Sequence, residues 1–295
     1  MKSITSLLAV PMLGAALLFP AFPAAAAAPV PVNQTVGQGT VHTYTYKAGK
    51  LHVFNTGDPL GDACFIVETR TGLVGIEMPS FTKDLAAWKS YVKSLGKPLD
   101  AVFITNHPTG ASYVKGVRIL GTQAAKDSVN HGMIHGITTG LVKTFGKDFH
   151  GAPDQIEITE VVKPGDVKVA GLTFDVIPAG DSYEIAIPAF NVIHTHMLGK
   201  KVHSIIPSEA ALDQALKTAE GYQAKKYDLI LSSHAGAEGQ DAVAEKIRYL
   251  KAEKKIIAGS KSKADFIAAM EKAFPGYTGK NYLEMSASGL FPAKK

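Results

Sequence analysis

Two short apolar segments, each followed closely by a histidine, constrain the fold of this chain more than any other feature. Residues 99–105 read Leu-Asp-Ala-Val-Phe-Ile-Thr and lead to His107, and residues 227–232 read Tyr-Asp-Leu-Ile-Leu-Ser and lead to His234. Short apolar runs between turn residues are typical of fully buried strands. Loops at the ends of such strands are where many proteins place ligand-binding side chains. We therefore expect a buried sheet with both histidines at its edge.

A third histidine-bearing segment adds two more candidate ligands. His194 and His196 lie at the end of a predicted strand over residues 191–195. Alternation along a strand places both on one face, so both could reach one ion. Neutral imidazole is a common zinc ligand. The chain has ten histidines but only one cysteine, Cys64, which excludes cysteine-based zinc clusters and an intramolecular disulfide.

The remaining pattern predicts strands in both halves of the chain, with helices beside them. A loose leader is expected over residues 29–40. Strands are expected over residues 41–46, 50–55, 64–69, 73–77, 117–120, 156–161, 167–177 and 183–187, and helices over 83–95, 208–224, 240–252 and 262–273. This arrangement favours an α+β sandwich of two sheets with helices outside.

The N-terminal segment has the pattern of a secretory signal peptide. Lys2 is followed by an apolar run over residues 7–19, then by prolines and an alanine string that ends at Ala28. The apolar run is shorter than the roughly 20 residues of a membrane-spanning helix. We expect residues 1–28 to be removed, residues 29–295 to form a single domain, and the protein to be periplasmic or secreted.

The composition limits the classes of molecule that this domain is expected to bind. Hydrophobic residues make up 46% of the chain and charged residues 19%, which is typical of a globular protein and not of a disordered one. Lys and Arg number 31 against 26 Asp and Glu, and the small excess is spread along the chain. We therefore predict a small-molecule ligand or substrate, no nucleic acid and no membrane span. The oligomeric state stays open.

Five segments, in order along residues 50–255, resemble those of the metallo-β-lactamase family. They are the strand pair at residues 63–77, the strand and loop ending in Asn106-His107-Pro108, the segment Ile177-Pro178-Ala179-Gly180-Asp181-Ser182, the strand with His194-Thr195-His196, and the loop Ser233-His234-Ala235-Gly236. The resemblance implies a four-layer αββα sandwich.

The family's metal-binding motif is only partly present. In its His-x-His-x-Asp-His pattern the four ligand positions fall on Thr105, His107, Thr109 and Gly110. Asp181 occupies the place of a later histidine ligand, His196 falls on or beside the bridging aspartate, and His234 matches a histidine. The resemblance thus implies a mixed ligand set of His107, Asp181, His196 and His234, with His194 as a spare.

Two functions follow from this reading. The first is an exported hydrolase with an altered site that holds at most one zinc or other divalent ion and activates a water molecule. The alternative is a non-catalytic binding module that keeps the fold and the cleft. Because only His107 and His234 match the ligand type expected at their positions, the ligand count favours an empty site over a bound ion. No catalytic residue is assigned by the sequence.

Overall fold

The computed structural model describes residues 28–150 and 154–292. The predicted signal peptide, residues 1–28, falls outside the described residues except for Ala28. Within the described ranges, every helix is too short or too polar to cross a membrane.

The first sheet has eight strands that lie side by side in chain order. They are β1 (Val32–Val36), β2 (Gly39–Tyr46), β3 (Gly49–Asn55), β4 (Ala63–Glu68), β5 (Leu73–Ile76), β6 (Leu99–Phe103), β7 (Arg118–Gly121) and β8 (Glu160–Val161). The first five strands are antiparallel, and β5 to β8 are parallel. Parallel pairing brings the carboxyl ends of β5 and β6 to the same edge.

The second sheet has six strands and includes the other histidine-bearing segments. Its strands are β9 (Gly165–Val169), β10 (Leu172–Ala179), β11 (Ser182–Ile187), β12 (Val192–Thr195), β13 (Leu229–Ser232) and β14 (Gly236–Glu238), in the reverse spatial order. Only β12 and β13 pair in parallel, so the loops that follow them leave the sheet at the same edge.

Helices cover the outer faces of the two sheets. They are α1 (Thr82–Ser94), α2 (Gln123–His131), α3 (Met133–Phe145), α4 (Glu209–Lys225), α5 (Gln240–Gly259), α6 (Lys263–Ala273) and α7 (Lys280–Leu290). Leu85 and Trp88 of α1 join the core of the first sheet, whereas α4 to α7 build a second core on the second sheet.

Strand β13 shows how one short apolar segment serves both cores. Leu229 and Leu231 face the first sheet, and Ile230 between them packs with the helices. Alternate side chains of a strand point to opposite faces, so a strand covered on both faces is apolar at successive positions, here residues 229–231. The structure confirms the predicted α+β, four-layer αββα sandwich.

Four segments differ from the prediction. Residues 32–36 form the edge strand β1 rather than a loose leader; four of its five side chains are exposed, so backbone pairing and not an apolar pattern defines it. The predicted strand at 156–161 is a strand only at β8, and the one at 167–177 is divided by the turn at Ala170-Gly171. Helix α7 was not predicted.

Candidate functional site

The structure brings three histidines from both sheets together at one edge of the sandwich. One ring nitrogen each of His107, His196 and His234 lies within 4.8 Å of the others. The ring centroids are 5.0 Å apart for His107 and His234 and 4.8 Å apart for His196 and His234. Three imidazoles in this arrangement could bind one metal ion.

The parallel pairing of β12 and β13 places two of these histidines side by side. Thr195 lies opposite Ser232 at the ends of the strands, and His196 and His234 follow within two residues. The backbone N–H of Ser233 donates to the carbonyl of His196 over 3.0 Å. The two loops therefore leave the sheet as a bonded pair.

Glu77 holds the loop that carries His107. This fully buried carboxylate follows β5 and accepts hydrogen bonds from the backbone N–H groups of Thr105, Asn106 and His107, at 3.2, 2.8 and 2.8 Å. It also accepts one from the Thr105 hydroxyl. Three successive N–H groups bound to one carboxylate fix the backbone of this loop, because each charge-assisted bond is stronger than a neutral one.

Asp62 lies behind the histidines and connects the two sheets. It directly precedes β4, where the N–H of Ala63 donates to the carbonyl of Ser233 over 2.6 Å. Its Oδ1 is 3.1 Å from Nδ1 of His234 and its Oδ2 is 3.9 Å from Nδ1 of His107. The Ser80 hydroxyl donates to Oδ2 over 2.6 Å. Only 1% of Asp62 is exposed.

The surroundings keep Asp62 ionised despite its burial. Burial alone would raise the pKa of the carboxyl group, but the nearby His107 and His234 and the hydrogen bond from Ser80 outweigh it and lower the pKa to about 2. Asp62 in turn raises the pKa of His234, against the effect of burial. A carboxylate behind an imidazole is the usual device that orients a metal-binding histidine.

The exposed face of the cluster is a pair of imidazole nitrogens. Nε2 of His234 is 3.0 Å from Nε2 of His196. Removal from water, and then His234 and His107, lower the pKa of His196 well below its ordinary value, although part of the ring lies at the surface. A neutral imidazole keeps one lone pair, which a metal ligand requires, and Nε2 of His196 lies against His234.

The donor set fits a divalent cation. Two nitrogens around a tetrahedral zinc lie about 3.3 Å apart for bonds of 2.0–2.1 Å, close to the observed 3.0 Å. Within the described part of the chain, Nδ1 of His107, Nδ1 of His234 and Oδ1 of Asp62 are buried without a well-aligned hydrogen bond. Buried polar atoms without partners are costly, and a bound cation would draw these groups into better alignment.

Asp181 and His194 are not part of the three-histidine group. Asp181 lies in the turn between β10 and β11, where its carboxylate accepts a hydrogen bond of 2.9 Å from Ser128 on α2. His194 is fully buried between the sheets, packs edge-on against Phe65 and contacts the Ser233 hydroxyl at 2.9 Å. Burial lowers its pKa to about 4. His196 diverges from His194 because β12 ends at Thr195.

The other motif positions serve the local structure. The Thr109 hydroxyl donates to the carbonyl of Pro79 over 2.9 Å, as the Thr105 hydroxyl does to Glu77. Gly110 has a φ of +81°, and a Cβ atom there would lie 2.5 Å from Cδ2 of Leu85. A side chain at position 110 would therefore strain the backbone and require Leu85 to shift.

Asp62 and Glu77 are the functional candidates that the sequence interpretation missed. Glu77 carries a usable signal, because a carboxylate at the end of a strand parallel to β6 must lie near the loop after β6. Asp62 carries none, since it reaches His234 only through a contact between residues 172 positions apart.

Two cavities flank the cluster. One of about 310 Å³ lies behind His196, under α4 and α5. The other, of about 510 Å³, is lined by His234 and by residues from the 58–61 and 278–282 loops. Met197 borders both cavities.

Comparison with solved structures shows which fold this is. The chain is similar to an inverting sec-alkylsulfatase from Pseudomonas sp. with a TM-score of 0.61 and 15% identity, over 84% of this chain and 49% of the other. It is similar to a metallo-β-lactamase family protein from Thermus thermophilus with a TM-score of 0.55 and 12% identity, over 81% and 91% of the two chains. A metallo-β-lactamase from Erythrobacter litoralis matches with a TM-score of 0.50 and 10% identity, over 75% and 99%.

These similarities define the fold as that of the metallo-β-lactamases and confirm the resemblance seen in the sequence. The chain spans about half the length of the alkylsulfatase. No protein-family model matches the sequence, and a search of curated proteins finds no significant match. At these low identities the shared property is the fold, and function has to be argued from the site.

Proposed function

We propose that this protein is a hydrolase that depends on one divalent metal ion, most simply zinc, held by His107, His196 and His234. The observation that carries the proposal is the convergence of one nitrogen from each ring within 4.8 Å, on three loops from two sheets. One of the three histidines is buried, one is half-buried and one is exposed, so a cation bound among them would be reachable from the solvent.

Some residues would bind the ion, and others position those ligands. His107, His196 and His234 would bind it, Asp62 orients His234 and His107 from behind, and Glu77 holds the His107 loop. When bound, a divalent ion supplies Lewis acidity and makes a water molecule acidic near neutral pH. With three protein ligands, one coordination position is left for water or substrate.

The positions where the family motif would supply further ligands support a single ion. Thr105 and Thr109 direct their hydroxyl groups to Glu77 and Pro79, and Gly110 contributes no side chain. A neutral hydroxyl binds a dication far less well than a carboxylate or an imidazole. Asp181, engaged with Ser128, supplies no ligand to the group in this arrangement.

We also propose that the protein is exported, on the basis of Lys2, the apolar run and the alanine string that ends at Ala28. N-terminal sequencing of the protein from the periplasmic fraction should find a start near Pro29. An intact Met1 on protein in the cytoplasm would refute export.

Elemental analysis of protein purified without an affinity tag tests the metal site. After dialysis against excess zinc and removal of free ion, we expect about one zinc per chain. His107→Ala and His234→Ala should each lose it, because two imidazoles hold zinc much less tightly than three.

His135→Ala is the matched control, because His135 is exposed on α3 and outside the cluster. It should retain the ion. About two zinc per chain would refute the single-ion site, and no zinc in the unmodified protein would refute the hydrolase and leave the non-catalytic binding module.

A further inference from the structure

The cavity behind His196 has mostly apolar walls formed by three parts of the fold. Helix α4 contributes Ala215 and Ala219, α5 contributes Leu250, and the loop after β12 contributes Leu198 and Ile206. Ala215 and Ala219 are one helical turn apart, so two small side chains on one face of α4 leave the space open.

The polar side chains that line this cavity are bonded to other protein groups, and His196 contacts His234. Lys246, which is only 8% exposed, donates to the Ser204 hydroxyl over 2.8 Å and to the carbonyl of Val202 over 3.1 Å. Gln214 donates to Thr218 over 3.4 Å.

Glu184 engages the other two polar groups of the wall. It accepts a hydrogen bond of 2.9 Å from Thr195 and another from the Tyr222 hydroxyl. Because these groups are already engaged, an occupant of the cavity would gain little from polar atoms of its own. His196 is the group of this wall that also faces the metal-binding cluster.

We propose that the cavity binds an unbranched aliphatic group, and that the substrate of this protein is an amphiphile with its reactive polar end at the three histidines. The assignment of the aliphatic group to a substrate rests on the proposed hydrolase function. Binding of an aliphatic chain to the cavity does not rest on that function.

The size of the cavity sets the size of the aliphatic group. An apolar protein cavity of about 150 Å³ holds one benzene molecule, and this cavity measures about 310 Å³. By proportion to that case it accommodates roughly twelve carbon atoms.

Calorimetric titration with straight-chain alcohols from butanol to tetradecanol tests the cavity without any hydrolysis. The affinity of the full chain should rise about fourfold for each added methylene until the chain fills the cavity, and should then level off. Removal of metal by a chelator should leave this series unchanged, since the apolar walls contain no part of the metal site other than His196.

Two variants fill the cavity, and one serves as a matched control. Ala219→Leu and Ala215→Leu each add a side chain inside the cavity and should level off at a shorter alcohol. Ala210→Leu makes the same change at an exposed position of α4 and should behave as the unmodified protein does. If Ala219→Leu fails to fold by circular dichroism, Ala215→Leu decides the matter.

An affinity that does not depend on the length of the alcohol would overturn the proposal. So would an affinity that levels off at the same alcohol length for Ala215→Leu and Ala210→Leu. The link to substrate is tested separately with p-nitrophenyl esters from acetate to decanoate, whose KM should fall with chain length. Alcohol binding without any ester hydrolysis would uphold the cavity and count against the hydrolase and the substrate assignment together.

Discussion

At the scale of single residues, Asp62 supports the candidate site although it does not itself belong to the three-histidine group. It is buried, ionised and in contact with two of the three histidines. Such a carboxylate fixes the ring orientation and raises the basicity of the nitrogen that faces the metal. Its effect should therefore appear in metal affinity even though no ligand is lost.

Asp62→Asn should weaken zinc binding by about 10- to 100-fold. The amide keeps the size of the side chain but removes the negative charge that orients His234. Competition with a chromogenic chelator measures the affinity. Asp213→Asn, at an exposed carboxylate paired with Lys254, should leave the affinity unchanged. An affinity of Asp62→Asn equal to that of the control would show that Asp62 does not support the site.

At the scale of elements, the loop after β6 is a rigid platform, held by hydrogen bonds from one side and by packing from the other. Glu77 binds three successive N–H groups of the loop, those of residues 105–107. At the other end of the loop Gly110 has a φ of +81°, and a Cβ atom there would lie 2.5 Å from Cδ2 of Leu85. A side chain at position 110 would therefore strain the backbone and displace Leu85.

Gly110→Ala should destabilise the protein by roughly 2–4 kcal/mol, because it adds a steric clash to an unfavourable backbone conformation. Gly116→Ala is a matched control: φ is +79° there, and among the described residues no atom lies within 4 Å of the added Cβ. Gly116→Ala should lower the free energy of unfolding by only about 1–2 kcal/mol, the cost of the unfavourable backbone conformation. Urea unfolding measures both, and equal losses would contradict the packing argument.

At the scale of the whole molecule, stability depends on two cores, and the helical one contains a buried acid. Glu253 of α5 is 0% exposed, and neither of its carboxylate oxygens has a hydrogen-bond partner within the ranges that the structure describes. Burial raises the pKa of Glu253 to about 8, against the opposing effect of Lys246. The folded state therefore prefers the protonated form, and it becomes less stable as the pH rises from the unfolded pKa toward 8.

Glu253→Gln should remove this pH dependence, since the amide does not ionise. Between about pH 5 and pH 8, the unmodified protein should lose up to about 1.4 kcal/mol of unfolding free energy per pH unit relative to the variant. Urea unfolding at several pH values gives the difference. Glu220→Gln, on the exposed side of α4, should follow the unmodified protein, and a constant difference for Glu253→Gln would show that Glu253 does not titrate in this range.

Local sequence patterns were sufficient to predict the layers of the fold and the two strands that lead to His107 and His234. The buried strands before His107 and His234 could be identified because a strand covered on both faces is apolar at successive positions, as β13 is. The edge strand β1 could not be identified from the sequence, because it pairs through backbone groups that every sequence has. Asp181 was assigned from its place in a motif, which does not determine where a turn points.

Side-chain periodicity is a local property of the chain, so it shows which strands are buried and that histidines follow them. Which of those histidines meet depends on the packing of distant segments. His194 and His196 are two residues apart, yet the end of β12 separates them into a core side chain and a candidate ligand. Asp62 and His234 are 172 residues apart, and the backbone bond from Ala63 to Ser233 brings them within 3.1 Å. Contacts of this kind depend on how the two sheets are stacked, which no local pattern encodes.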